Sequence, residues 1–400
     1  MKKVIKIVLK VIGFSLVAVL LLIGGFIGYM AIQSNQKVVL PKPTGKYSVG
    51  RAAYDWTDQM RTNAFAGKPN EKRELMVMAW YPANAATGKT AAYIPEPWLH
   101  VAEKDQSGLN GILTHKLTNV QTNSRTNVPL AGTQKTYPLI ILEPGLGRAS
   151  YDYSSIAEDL ASHGYVVISS TPTYIADLVV FPNDKTVSAS SATQLPETGN
   201  SLSPAAVSKT VQLRDVYAGD IAYLLAQVDR LNTTPGSAWN GRLDTARIGI
   251  MGHSIGGAAA YHVCLTDTRC KVALDMDGTL FGERSSVSKV PFMFLSSDTS
   301  NDAGTAAKQE DTYNQTILDR QQAPFYRVTI RGAEHFNFSD LALRSPFIRH
   351  LGALGPINGR TGIATSRQYA VGMFDKYLEG AKAPYLNPGN ALSGAVVTRR

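Results

Sequence analysis

The sequence predicts an α/β fold: a mostly parallel central sheet with helices on both faces, preceded by one N-terminal transmembrane helix. Three observations predict it. Short apolar runs recur at residues 75–81, 139–142, 165–169, 248–251, 272–276, 291–295 and 325–330. Most are continuous rather than alternating, as strands covered on both faces must be. Segments with helical spacing lie between them, at 153–162, 213–230 and 368–378, and the alternation implies parallel strands joined by helices. The clearest of these carries Leu213, Val216, Tyr217, Ile221, Leu224, Leu225 and Val228 on one stripe. The third observation is at the N-terminus, where residues 11–32 contain no charge.

Those 22 residues would form a helix of about 33 Å, enough to cross a hydrocarbon core of about 30 Å. Lys2, Lys3, Lys6 and Lys10 precede it and hold residues 1–10 in the cytoplasm, so the rest of the chain is exported. An uncleaved signal anchor at 11–32 is the favoured reading, because the apolar stretch is long and no small-x-small cleavage site follows it. Secretion after signal cleavage is the rival. Residues 33–46 are polar, Pro-containing and unpatterned, and read as a linker. The globular domain then spans 47–400.

The chain has 400 residues, 44% of them hydrophobic and 18% charged, which suffices for one large core. The formal charge of +9 is spread without a dense basic tract, which argues against a nucleic-acid partner. Cys264 and Cys270 could close a short disulfide loop in an exported protein, or stand as two buried thiols. Residues 175–210 are rich in Ser, Thr, Pro and Asn; they read either as a lid over the sheet edge or as a surface insertion.

Gly252-His253-Ser254-Ile255-Gly256 carries the chemistry. It fits G-x-S-x-G, in which a strand reverses sharply into a helix and holds a serine above the sheet. The apolar run before it and Ala258, Ala259, Ala260 and Tyr261 after it supply the strand and the helix. Gly252 and Gly256 are the elbow glycines, required because side chains there would clash across the turn. The turn specifies the α/β-hydrolase fold, with Ser254 as nucleophile.

A serine hydroxyl needs a base, and the base needs an orienting acid. The chain order in this fold is serine, acid, histidine. His335 follows the strand at 325–330, on the edge where a base must approach; His350 lies in a polar, helix-like stretch and reads as a surface residue. The acid is Asp277 or Asp298, each just after a strand, with Asp275 a weaker third. Two backbone N–H donors must face the oxyanion. Ile255, after the nucleophile, provides one, and Leu146 in Glu143-Pro144-Gly145-Leu146-Gly147 provides the other. Such chemistry calls for no metal and no organic cofactor. A catalytically inactive binding or scaffold protein on the same fold is an alternative, as is a serine peptidase or amidase.

These pieces resemble the plasma-type and isoform II platelet-activating factor acetylhydrolases and their bacterial α/β-hydrolase relatives. The similarity rests on Gly145-Leu146-Gly147, Asp159 through Tyr165, Gly252-His253-Ser254 with Gly256-Gly257-Ala258, Leu265 through Asp277, and Gly332 through Asp340. The resemblance implies Asp277 as the acid, His335 as the base, and Leu146 and Ile255 in the oxyanion hole. It implies scaffold roles for His163 and His253. It implies a carboxylic ester hydrolase, an esterase or lipase for a small-molecule or lipid ester. Animal members carry an aromatic after the nucleophile and another near the acid, where this chain has Ile255 and Gly278; esters of short acyl groups are therefore the expected substrates.

Overall fold

The computed structural model describes residues 2–84, 88–105, 116–196, 200–283, 285–298, 306–344 and 354–400. His350 lies outside them, as does part of the stretch 175–210. The strands are β1 (Val38–Val39), β2 (Ser48–Thr62), β3 (Lys72–Ala83), β4 (Thr90–Ala92), β5 (Val120–Thr126), β6 (Tyr137–Glu143) and β7 (Val166–Thr171). After them come β8 (Leu178–Val180), β9 (Thr186–Ser188), β10 (Leu243–His253), β11 (Cys270–Met276), β12 (Phe292–Ser296), β13 (Phe325–Ile330) and β14 (Ala395–Arg399). The main helices are α1 (Lys2–Ser34), α2 (Glu96–Asp105), α3 (Ser154–His163), α4 (Pro204–Thr233), α5 (Ile255–Cys264), α6 (Ala306–Leu318), α7 (Leu341–Arg344) and α8 (Gly359–Leu378).

The main sheet runs β1-β5-β2-β3-β7-β6-β10-β11-β12-β13-β14, with β4 on β5. The run from β7 through β13 is parallel, while β3 and β14 flank it antiparallel. The continuous apolar runs have the cause expected of them. In β6, Leu139 and Ile141 pack with Tyr217, Ile221 and Leu224 of α4 in one core layer; Ile140 and Leu142 pack with Ile156 and Leu160 of α3 and Phe374 of α8 in the other. Both faces of the central strands are thus covered, so neither can be polar.

Three features depart from the expected layout. The strand β2, 15 residues long, was not visible as an apolar run, because its buried and exposed positions are mixed along a peripheral hairpin with β3. The segment after α1 is laid on the domain, where a free linker was expected at 33–46. Val38 and Leu40 are buried, β1 pairs with β5, Thr44 N–H donates to Asp159 at 2.6 Å, and Arg367 donates to the carbonyls of Pro41 and Lys42. Helix α4 also begins nine residues earlier than its apolar stripe, at Pro204, with Ser203 as its cap. Cys264 and Cys270 are joined in a disulfide, with Cα atoms 5.3 Å apart, tying the end of α5 to the start of β11.

Candidate active site

The C-terminal ends of β6, β10, β11, β12 and β13 lie along one edge of the sheet, the edge on which parallel α/β proteins carry their ligands. The loop after β10 is the elbow. Ser254 adopts φ 56° and ψ −125°, a conformation that L-residues avoid unless the surroundings impose it. Its N–H donates to the Met276 carbonyl at 2.8 Å, which locks the turn to the neighbouring strand. The glycines are needed for space. A Cβ on Gly252 would run into the backbone of Gly256, and one on Gly256 into the carbonyls of Glu143 and Pro144. The serine hydroxyl does not cap α5.

His335 opens a short 3-10 turn, His335–Phe338, after β13. Its Nδ1 donates to Asp277 Oδ2 at 2.9 Å. The other oxygen of Asp277 accepts from Ser297 N–H at 2.7 Å. Burial alone would raise the Asp277 carboxyl, but the hydrogen bond and charge of His335 and the Ser297 N–H outweigh it and hold the group below its ordinary value. Asp298 faces elsewhere: its Oδ2 accepts from Gly332 N–H at 2.9 Å, and its own N–H donates to the Ala333 carbonyl. It braces the loop that carries His335. Asp275 lies behind the turn, accepting from Gly278 N–H at 2.8 Å, and burial keeps its carboxyl protonated well above the usual range.

Ser254, Asp277 and His335 line one cavity of about 540 Å³ together with Leu146 and Ile255. Among the described residues, no hydrogen bond joins Ser254 Oγ to His335, although both line the same cavity. Leu146 sits in a turn closed by Arg148 N–H on the Gly145 carbonyl, and Ile255 is the first residue of α5, where helical N–H groups have no partner in the helix. The walls are apolar at Leu195, Pro196, Phe281 and Phe294 and carry the acidic side chains Glu310, Asp311 and Glu334. Leu195 and Pro196 belong to the stretch 175–210, which therefore flanks the cavity; its hairpin β8–β9 packs in a side cluster with Tyr93 and Trp98. Two contributors were not visible in the sequence. Ser297 helps hold Asp277 through its backbone, which no side-chain motif reports, and Tyr153, just before α3, reaches Gly145 and His253 behind the cavity through its hydroxyl.

Comparison with known proteins gives a consistent picture. The model of the family described as platelet-activating factor acetylhydrolase, isoform II, matches residues 32–172, and a PET hydrolase-like model matches residues 208–345. The platelet-activating factor acetylhydrolase of Cavia porcellus is 24% identical over 368 residues, covering 87% of this chain and 80% of that protein. A probable 1-alkyl-2-acetylglycerophosphocholine esterase of Arthroderma benhamiae is 27% identical over 262 residues, covering 61% of this chain and 60% of its own length. Among solved structures, a ferulic acid esterase from Streptomyces cinnamoneus superposes with a TM-score of 0.73 at 24% identity, over 90% of this chain and 99% of that one. That likeness is one of fold.

Proposed function

We propose that this chain, a carboxylic ester hydrolase similar to the platelet-activating factor acetylhydrolases, works through Ser254, His335 and Asp277. His335 Nε2 takes the proton of Ser254 Oγ as the oxygen attacks the ester carbonyl. Asp277 holds Nδ1–H, which selects the tautomer with a bare Nε2 and stabilises the imidazolium that forms. The N–H groups of Leu146 and Ile255 receive the negative charge on the carbonyl oxygen. His335 returns the proton to the departing alcohol, leaving an acyl group on Ser254. Water, activated by the same imidazole, then releases the acid.

The observation that carries this reading is the His335–Asp277 hydrogen bond on the rim of the cavity into which the strained Ser254 faces. Walls that combine apolar Leu195, Pro196, Phe281 and Phe294 with acidic Glu310, Asp311 and Glu334 favour a small-molecule or lipid ester without a negatively charged acyl group. The apolar helix α1 supports a membrane anchor, with the catalytic domain outside the cytoplasm, periplasmic or extracellular; a secreted form cut from the same helix is the second reading. The experiment is hydrolysis of p-nitrophenyl acetate and butyrate, with fluorophosphonate labelling in parallel. Ser254→Ala is expected to lose both activities, and a variant that hydrolyses either ester at the wild-type rate overturns the assignment.

A further inference from the structure

His253, second residue of the elbow, takes no part in the steps above. It is 1% exposed and lies between the two loops that carry the chemistry. Its partners define its hydrogens. The His335 carbonyl can only accept, so His253 Nε2, 2.9 Å away, carries a hydrogen and donates it. Burial, with the neighbouring His335 imidazole adding to it, pushes the His253 ring down to about 3, so the ring is neutral at working pH. A neutral ring with hydrogen on Nε2 has a bare Nδ1. Tyr153 O–H donates to that nitrogen at 2.8 Å, and the same phenol oxygen accepts from Gly145 N–H at 3.0 Å.

One unbranched chain of hydrogen bonds therefore joins the residue before Leu146 to the backbone of His335. Packing reinforces it. The rings of His253 and His335 lie 4.5 Å apart, centroid to centroid, tilted by 38°. A Cβ on Gly145 would stand 2.8 Å from His253 Nδ1 and 3.4 Å from the Tyr153 hydroxyl, so this glycine is required by the chain itself. Neither His253 nor Tyr153 lines the substrate cavity.

We propose that Tyr153 and His253 are positioning residues that set the separation between the Leu146 oxyanion donor and the His335 base. The inference rests on the roles given to Ser254, His335 and Leu146 above. Its consequence is specific. Loosening the chain misaligns two groups that act together in the transition state, while the binding cavity keeps its walls.

The test uses the full chain in detergent with p-nitrophenyl acetate. Tyr153→Phe removes a single oxygen; His253→Phe keeps a ring without nitrogens; His253→Gln offers an N–H to the His335 carbonyl and a C=O to the Tyr153 hydroxyl. Both Phe variants are expected to lose about 10- to 100-fold in kcat, with KM within about twofold. His253→Gln is expected to recover kcat to within about fivefold of wild type, and the double Phe variant to lose no more than the worse single one. A kcat within about twofold of wild type in both Phe variants overturns the proposal. So does a loss matched by the fraction of unfolded protein in near-UV circular dichroism, or a Gln variant no better than Phe. Ser254→Ala in the same assay separates the two readings: if it is inactive while both Phe variants are fully active, only the positioning chain fails. Should Ser254→Ala hydrolyse the ester normally, the triad falls and the positioning role with it.

Discussion

Two residues at the site, Ser254 at φ 56° and Asp277 at φ 59°, stand in left-handed backbone conformations. Such positions cost an L-residue roughly 1–3 kcal/mol and persist where the surroundings over-determine them. Ser254 is held by its N–H on Met276 and Asp277 by its N–H on Leu295, each a bond to the adjacent strand. The strain points both side chains off the sheet edge. For the acid, a strand-end aspartate is legible in the sequence twice over, at 277 and at 298, and periodicity could not separate them. The separation is a matter of partners: Asp277 meets the imidazole, and Asp298 meets the backbone of Gly332. Asp277→Asn is expected to lower kcat by about 10³- to 10⁴-fold, through the wrong tautomer of His335, and Asp298→Asn by less than about tenfold. Steady-state kinetics on both variants checks the ranking, and the reverse order would move the acid role to Asp298.

At the scale of the element, the turn after His335 is fastened by a buried carboxylate. Asp340, 1% exposed, accepts from Ser155 N–H at 3.2 Å and from the Tyr93 hydroxyl at 3.2 Å, joining the loop that carries His335 to α3. Burial pushes its carboxyl up to about 7. An unfolded aspartate titrates near 3.9, so between about 4 and 7 the native state keeps a proton that the unfolded chain has released. Stability contributed by this group is therefore full below pH 4 and lost as pH rises through 7. Asp340→Asn removes the dependence: the Tm of the variant relative to wild type is expected to rise by several degrees from pH 5 to pH 8. Parallel Tm curves over that range would contradict the assignment. Helix α4 makes the complementary point about legibility. Its central stripe is plain in the sequence, and its true start was marked by Ser203 and Pro204, the residues suited to a helix N-terminus. The Ser- and Pro-rich context hid that signal, because the same residues build loops.

For the molecule as a whole, the decisive feature is how the apolar helix meets the domain. Met30 and Ser34 at the end of α1 are buried, and Lys116 N–H donates to the Ser34 carbonyl. Chain 35–46 then follows the domain surface as far as Thr44, whose N–H and hydroxyl both donate to Asp159, itself bonded to Arg367 at 2.5 Å. On the proposed membrane anchor, removing residues 1–34 is expected to move the ester hydrolase from the membrane to the soluble fraction with kcat within about twofold of wild type. Removing 1–46 also takes the Thr44 donors from a buried, charged acceptor, at about 1.5–3 kcal/mol for each such bond. The longer deletion is expected to lower Tm by at least about 5 °C relative to the shorter one. Equal melting temperatures in differential scanning calorimetry would show the segment to be a mere tether.

The sequence by itself determined the parallel sheet, the elbow at Ser254, the place of His335 just after a strand and the apolar N-terminal helix. Those follow from local physics: burial on both faces leaves an unbroken apolar run, and a strand-to-helix reversal leaves room only for glycine at 252 and 256. Tertiary structure alone decided that Cys264 and Cys270 are bonded, that 35–46 is packed down, and that His253 bridges Tyr153 and His335. Each of these depends on a distance between side chains or strands whose separation no periodicity encodes. Tyr153 and His253 are 100 positions apart in the chain and 2.8 Å apart in space, and only the folded sheet brings them together.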